Sequence, residues 1–89
     1  MKAVITVVGH DSMGIIAKVS TVCAEVGANI EDISQSVLKD YFAMVMVVDI
    51  DKLNIPFNGL VDKLTYLGKQ NSLDIRTMHE DIFNSMHRI

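Results

Sequence analysis

The stretch Ala3-Val4-Ile5-Thr6-Val7-Val8-Gly9-His10-Asp11-Ser12-Met13-Gly14-Ile15-Ile16 decides the fold. Its first six residues are apolar, β-branched and continuous, the composition of a buried strand. Beyond it, Ile15, Ile16, Val19, Val22, Cys23 and Val26 fall on one apolar helical stripe. The spacing predicts a helix from about Ser12 to Val26, capped by Asp11 or Ser12 and ended by Gly27. The residues from Gly9 to Gly14 therefore hold a helix start at the tip of a strand. Backbone N–H groups there lack partners within the helix, and the helix dipole favours an anion. Gly14 has no side chain to block a ligand, and Gly9 lets the chain turn sharply. A carboxylate or phosphate fits such a loop. A tight βα turn that binds nothing accounts for the same residues.

Outward from this unit, Asn29 opens a second strand with Ile30, Ile33 and Val37 as its apolar positions. The step from Ile30 to Ile33 breaks alternation and predicts a bulge near Glu31-Asp32. Lys39-Asp40 reads as a hairpin turn, followed by the nearly all-apolar strand Tyr41 to Val48. Pro56 pre-sets a second helix whose inner face is Phe57, Leu60, Val61, Leu64 and Leu67, closed by Gly68 to Ser72. Leu73 to Met78 alternates as a fourth strand. Ile82, Phe83, Met86 and Ile89 give the tail a helical spacing. The order βαββαβ predicts a ferredoxin-like α+β plait: a four-stranded antiparallel sheet, two helices on one face, and a short C-terminal helix. The first and third strands then lie in the middle. One domain spans residues 1–89, with 2–79 as its core and 80–89 as a helical extension.

A sheet covered on one face should alternate apolar and polar residues. Val4, Ile5, Val7 and Val8, like Met44 to Val48, are apolar on both sides. The second face is therefore expected to be covered by the Ile82/Phe83/Met86 tail, by a second copy, or by both. We expect a homodimer. Strands can pair edge to edge or pack face to face, and the residues leave that choice open.

Composition narrows the function. Eighty-nine residues at 49 % apolar content form a real core, and the net charge of −3 lacks the basic footprint of a nucleic-acid binder. The single cysteine, Cys23, lies on the apolar stripe and reads as core. It rules out an internal disulfide and fits a reducing, cytoplasmic compartment. No apolar run approaches a membrane span or a signal peptide. No cofactor is expected.

The run Gly9-x-Asp11-x-x-Gly14-Ile15-Ile16-Ala17, then Val19-Ser20, then Gly27-x-Asn29-Ile30-x-Asp32-Ile33, resembles the opening half of an ACT domain. The resemblance covers roughly residues 2 to 79. It is nearest to small stand-alone ACT-domain proteins and looser to the N-terminal domain of formyltetrahydrofolate deformylase and to glycine-cleavage regulators. It implies a ferredoxin-like fold that pairs with a second ACT domain and binds an amino acid or similar small molecule at the interface. The ligand would meet the loop after the first strand and the asparagine that opens the second. Carried over, these positions are His10, Asp11, Met13, Gly14 and Ile15, with Asn29 and Ile30. Asp11 would serve mainly as a helix cap. Met13 stands where many members carry proline. Many ACT domains serve only as dimerisation units, so a protein partner is an alternative to a ligand.

Other uses of the plait fit less well. RNA recognition needs aromatic residues on both central strands, and the first has none. A heavy-metal plait needs paired cysteines where this chain has Ser12 and Met13. Acylphosphatases hold phosphate with an arginine in the first loop, whereas Arg76 and Arg88 lie far along this chain. His10 and Asp11 make an acid/base pair only on paper, because adjacent side chains seldom aim at one centre. His10, His79 and His87 match no metal-ligand spacing.

Overall fold

Alternation along β1 (Lys2–Gly9) and β3 (Tyr41–Asp49) sets the core. In the computed structural model, which describes residues 1–10 and 13–86, Ala3, Ile5 and Val7 share one face with Phe42, Met44, Met46 and Val48. All seven are at most 3 % exposed. Over them pack α1 (Ile15–Val26), through Ile15, Val19, Cys23 and Val26, and α2 (Phe57–Gln70), through Leu60 and Leu64. With β2 (Asn29–Leu38) and β4 (Asp74–His79) at the edges, the sheet runs β2-β3-β1-β4 and every pairing is antiparallel. This is the βαββαβ ferredoxin-like plait, completed by α3 (Glu80–Met86).

Local chemistry explains the boundaries. The β2–β3 register shifts between Ile30 and Asp32, so Glu31 is the extra residue of a bulge. The bulge lets Ile30, opposite Val48, and Ile33, opposite Met46, both turn toward the core. Lys39 takes φ 56 in the hairpin turn. The carbonyl of Pro56 accepts from the N–H of Gly59 at 2.9 Å, opening α2. Gly68 lies so near β4 that a Cβ there would stand 2.7 Å from the Leu73 carbonyl.

The start of α1 differs from the expectation. The helix begins at Ile15, and its N-cap is Gly14 in the left-handed region at φ 71. A left-handed residue cannot lie inside a right-handed helix, so the helical run cannot begin before it. Asp11 and Ser12, the expected caps, lie outside the described residues, as does His87.

The second face is only partly closed. Val4 points away from α1 and α2 yet is 2 % exposed, because α3 packs back against β1 and β4. Farther along the same face Val8, Val45 and Tyr41 are open. Beyond Ile33 each residue of β2 is exposed, and no described strand pairs with its outer edge.

Candidate functional site

Gly14 shapes the first part of the site. The first backbone bond of α1 runs from Lys18 N–H to the Gly14 carbonyl at 3.0 Å. The N–H groups of Ile15, Ile16 and Ala17 thus have no partner within the helix, and no side-chain bond is made by the cap residue. A Cβ on Gly14 would meet only Lys18 Cε, 3.9 Å away, so the space above the helix start is open. The Lys18 ammonium donates to Asn71 Oδ1 at 2.7 Å, which holds a positive charge beside this opening. Both the helix dipole and Lys18 favour an anion here.

The other loop residues divide by role. His10 is exposed and rests on Tyr41, with ring centroids 4.7 Å apart and planes at 37°. Met13 is 82 % exposed. Ile15 turns its side chain into the core at 4 % exposure, so only its backbone faces the opening. Asp11 lies outside the described residues.

Asn29 and Ile30 stand elsewhere. Asn29 is exposed and lies opposite Asp49, which in turn pairs with Lys2. It shares a recess of about 310 Å³ with Gly27, Asp49, Asp51 and Lys52. Asp49 Oδ1 accepts from the Asp51 N–H at 2.9 Å, and Asp51 accepts from the amino group of Met1. That hydrogen bond raises the pKa of the Met1 amino group. Next to Asn29, Glu31 accepts from Lys2 at 2.9 Å, which raises the lysine pKa. Ile30 is half-buried against the core.

The two groups therefore occupy opposite ends of the sheet. Gly9 pairs with Phe42, whereas Lys2 pairs with Asp49 and, through it, with Asn29. Seven residue steps at about 3.3 Å place them roughly 23 Å apart. One protomer does not bring Asn29 and the loop to the same small ligand.

Comparison with known proteins identifies this architecture. Residues 2–78 match the ACT domain family. The chain belongs to that family. An ACT domain protein from Streptococcus pneumoniae has a similar structure, with a TM-score of 0.81, 44 % identity, and 93 % of each chain covered. A UPF0237 protein of Clostridium perfringens is 48 % identical over 89 residues, all of both chains. A formyltetrahydrofolate deformylase from Pseudomonas syringae matches at TM-score 0.77 and 25 % identity, over 88 % of this chain and 27 % of that one.

Three features of this candidate site escaped the sequence reading. Tyr41, the partner of His10, was legible in principle. The β1–β3 register pairs Phe42 with Gly9 and so sets Tyr41 beside His10. Lys18 belongs to the loop because position 18 lies one helical turn beyond Gly14. The Asp49 and Asp51 recess carried no local signal, since only the pairing of β2 with β3 brings it to Asn29. Among the described residues His10 and His79 stand at opposite ends of the sheet, and His79 stacks on Phe57 at 4.0 Å.

Proposed function

We propose that this ACT protein is a non-catalytic regulator that binds an amino acid or a similar small metabolite at the interface of a homodimer. The observation that carries this is the separation of the loop from Asn29 on a sheet whose β2 edge is unpaired among the described residues. A two-fold axis through that edge runs the partner's β2 antiparallel. It carries the partner's Asn29 toward the end of the sheet where this protomer's loop stands. The open helix start and Lys18 would hold a carboxylate, and the Asn29 amide can both donate and accept toward an amino group. His10, Asp11, Met13 and the Ile15 backbone would line the opening, with Ile30 behind Asn29.

The supports for a non-enzyme are chemical. The loop has no arginine, and Arg76 sits on β4 in an ion pair with Asp74 at 3.3 Å. A buried, single Cys23 fits a cytoplasmic protein. Among the described residues no helix is long and apolar enough to cross a membrane.

The test is thermal unfolding against the amino acids, followed by subunit mixing. Ligand at ten times its Kd should add about 1.4 kcal/mol, roughly 6–11 °C for a domain of this size. Gly14→Ala and Asn29→Ala should each lose the shift. A mixture of the two should regain about one quarter of the sites, because each mixed dimer rebuilds one of its two. No recovery on mixing sinks the shared site. A second reading, a ligand-free interaction module, draws on the exposed Val8, Val45 and Tyr41 of the open sheet face. It is the reading left standing if no amino acid shifts the melting point.

A further inference from the structure

The face of the sheet away from α1 and α2 is covered over one part only. α3 lies over the part that holds Val4. Strand register puts Val8 of β1, Tyr41 and Val45 of β3, and Leu38 of β2 on the same face, and all four are exposed. From Val45 to Tyr41, at about 3.3 Å per residue, this open floor is about 13 Å long. A helix with its side chains is about 10–12 Å across. The uncovered part therefore has room for one more helix in the layer that α3 occupies.

α3 has apolar surface of its own to spare. Phe83 is half-buried, whereas Ile82 and Met86, one turn apart on one flank, are exposed. Charge is divided across the same face. α3 begins with Glu80 and Asp81 at the β4 corner of the sheet, where His79 pairs with Ala3. Lys39 stands at the diagonally opposite corner, in the turn beyond the Leu38–Tyr41 pair, because β2 is the other edge and this turn lies at the other end. Neither Lys39 nor Asp81 enters an ion pair among the described residues. One chain thus carries an apolar helix flank with an acidic start and an open apolar floor with a basic corner.

We infer that the open floor receives α3 of a second copy of this chain, with the two sheets face to face across a two-fold axis. An axis between the sheets, running along the other diagonal, exchanges the β4 corner with the Lys39 corner. It lays the partner's α3 on Val8, Val45 and Tyr41, while this α3 takes the partner's floor. The partner's Ile82 and Met86 then leave water, and the partner's Asp81 approaches Lys39. An unrelated helix would fill the floor and leave the flank of α3 in water, whereas a copy covers both, twice over. The floor is about 13 Å long and three strands wide at about 4.8 Å each, far below the roughly 800 Å² that each partner gives a stable pair. The contact is therefore weak and forms at high protein concentration. It does not rest on pairing through the β2 edge, which is a different surface and stays available.

The experiment mixes ¹³C-labelled and unlabelled full chain at millimolar concentration and records isotope-filtered NOE spectra, which read contacts between copies alone. The expected contacts run from the Ile82 and Met86 methyls to Val8, Val45 and Tyr41. Sedimentation equilibrium then gives the association constant. Ile82→Glu and Val45→Glu should each weaken it roughly tenfold or more, because each brings an unpaired charge into the contact. Lys39→Glu should weaken it roughly two- to fivefold, and Asp81→Lys in the same chain should restore it. All four side chains are exposed, so unchanged amide signals away from this face confirm that the variants fold. Absent contacts between copies, or an association constant that neither glutamate moves, would overturn the assignment, and a charge swap that restores nothing would overturn the pairing of corners. If the filtered contacts join β2 residues only, the edge pairing stands and the face contact falls.

Discussion

Gly14 and Gly27 share a left-handed backbone, at φ 71 and φ 82, but differ in what surrounds them, and replacing each with alanine separates the two effects. At Gly14 the new methyl would meet nothing closer than Lys18 Cε at 3.9 Å. The penalty is then conformational alone, about 1–2 kcal/mol. A stiffer unfolded chain returns about 0.4–1 kcal/mol of it. The net loss is about 1 kcal/mol, or about 4–8 °C in Tm. At Gly27 the methyl would run into the Lys52 carbonyl oxygen, with Asn54 N 3.7 Å away. That segment is pinned, because Asn54 N–H donates to the Val26 carbonyl at 2.9 Å and its side-chain amide to the Glu25 carbonyl at 3.0 Å. Retreat costs hydrogen bonds worth about 1 kcal/mol each, and overpacking adds about 1–3 kcal/mol. Gly27→Ala should therefore lose about 3–5 kcal/mol in total. Urea unfolding followed by far-ultraviolet circular dichroism measures both. A synthetic chain with D-alanine at position 14 should be no less stable than wild type, since D-residues favour positive φ. Equal losses at the two glycines would refute the reasoning from space, and a harmless Gly14→Ala would refute the left-handed cap.

Leu60 is fully buried, so Leu60→Ala should cost about 2–5 kcal/mol by denaturant unfolding, while exposed Tyr66→Ala should stay within about 0.5 kcal/mol. Burial pushes the Cys23 thiol up to about 11. The unfolded thiol, near pKa 8.5, then gives up its proton first, so stability should fall as pH rises from about 8.5 towards 11. Cys23→Ala should flatten that slope, and an unchanged slope would remove Cys23 as its cause. The Lys2–Glu31 pair is half-exposed, so Lys2→Gln should cost under about 1 kcal/mol, and the difference should shrink in 1 M salt, as screening requires at about 3 Å.

The plait was legible because its local signals agree. Pro56, Gly27 and Lys39-Asp40 mark ends and turns, and the Ile30-to-Ile33 step marks the bulge that the register places at Glu31. The helix start was not legible. Asp11 and Ser12 have the cap chemistry, but the φ of Gly14 decides where helical geometry can begin, and a glycine permits either sign of φ. The apolar character of both sheet faces was legible, whereas its cover was not. Ile82 and Met86 have the spacing of a packed face, yet they are 52 % and 64 % exposed, and α3 protects Val4 without protecting Val8.

The separation of the loop from Asn29 follows from chain topology and from no particular residue. A crossover helix joins β1 to β2, so the two strands run parallel and flank the antiparallel β3. The end of β1 must then lie at one end of the sheet, along the strand direction, and the start of β2 at the other. Any chain of this topology that uses both positions on one small ligand has to borrow one of them from a second copy. Ligand affinity and dimer affinity then become a single linked quantity, each raised by the other through the same factor. For a domain of 89 residues, with a ten-residue β2 edge exposed from Ser34 onward, that linkage has a structural consequence. With the proposed shared site, the edge that would otherwise be an aggregation hazard would become the element through which ligand and partner are read together.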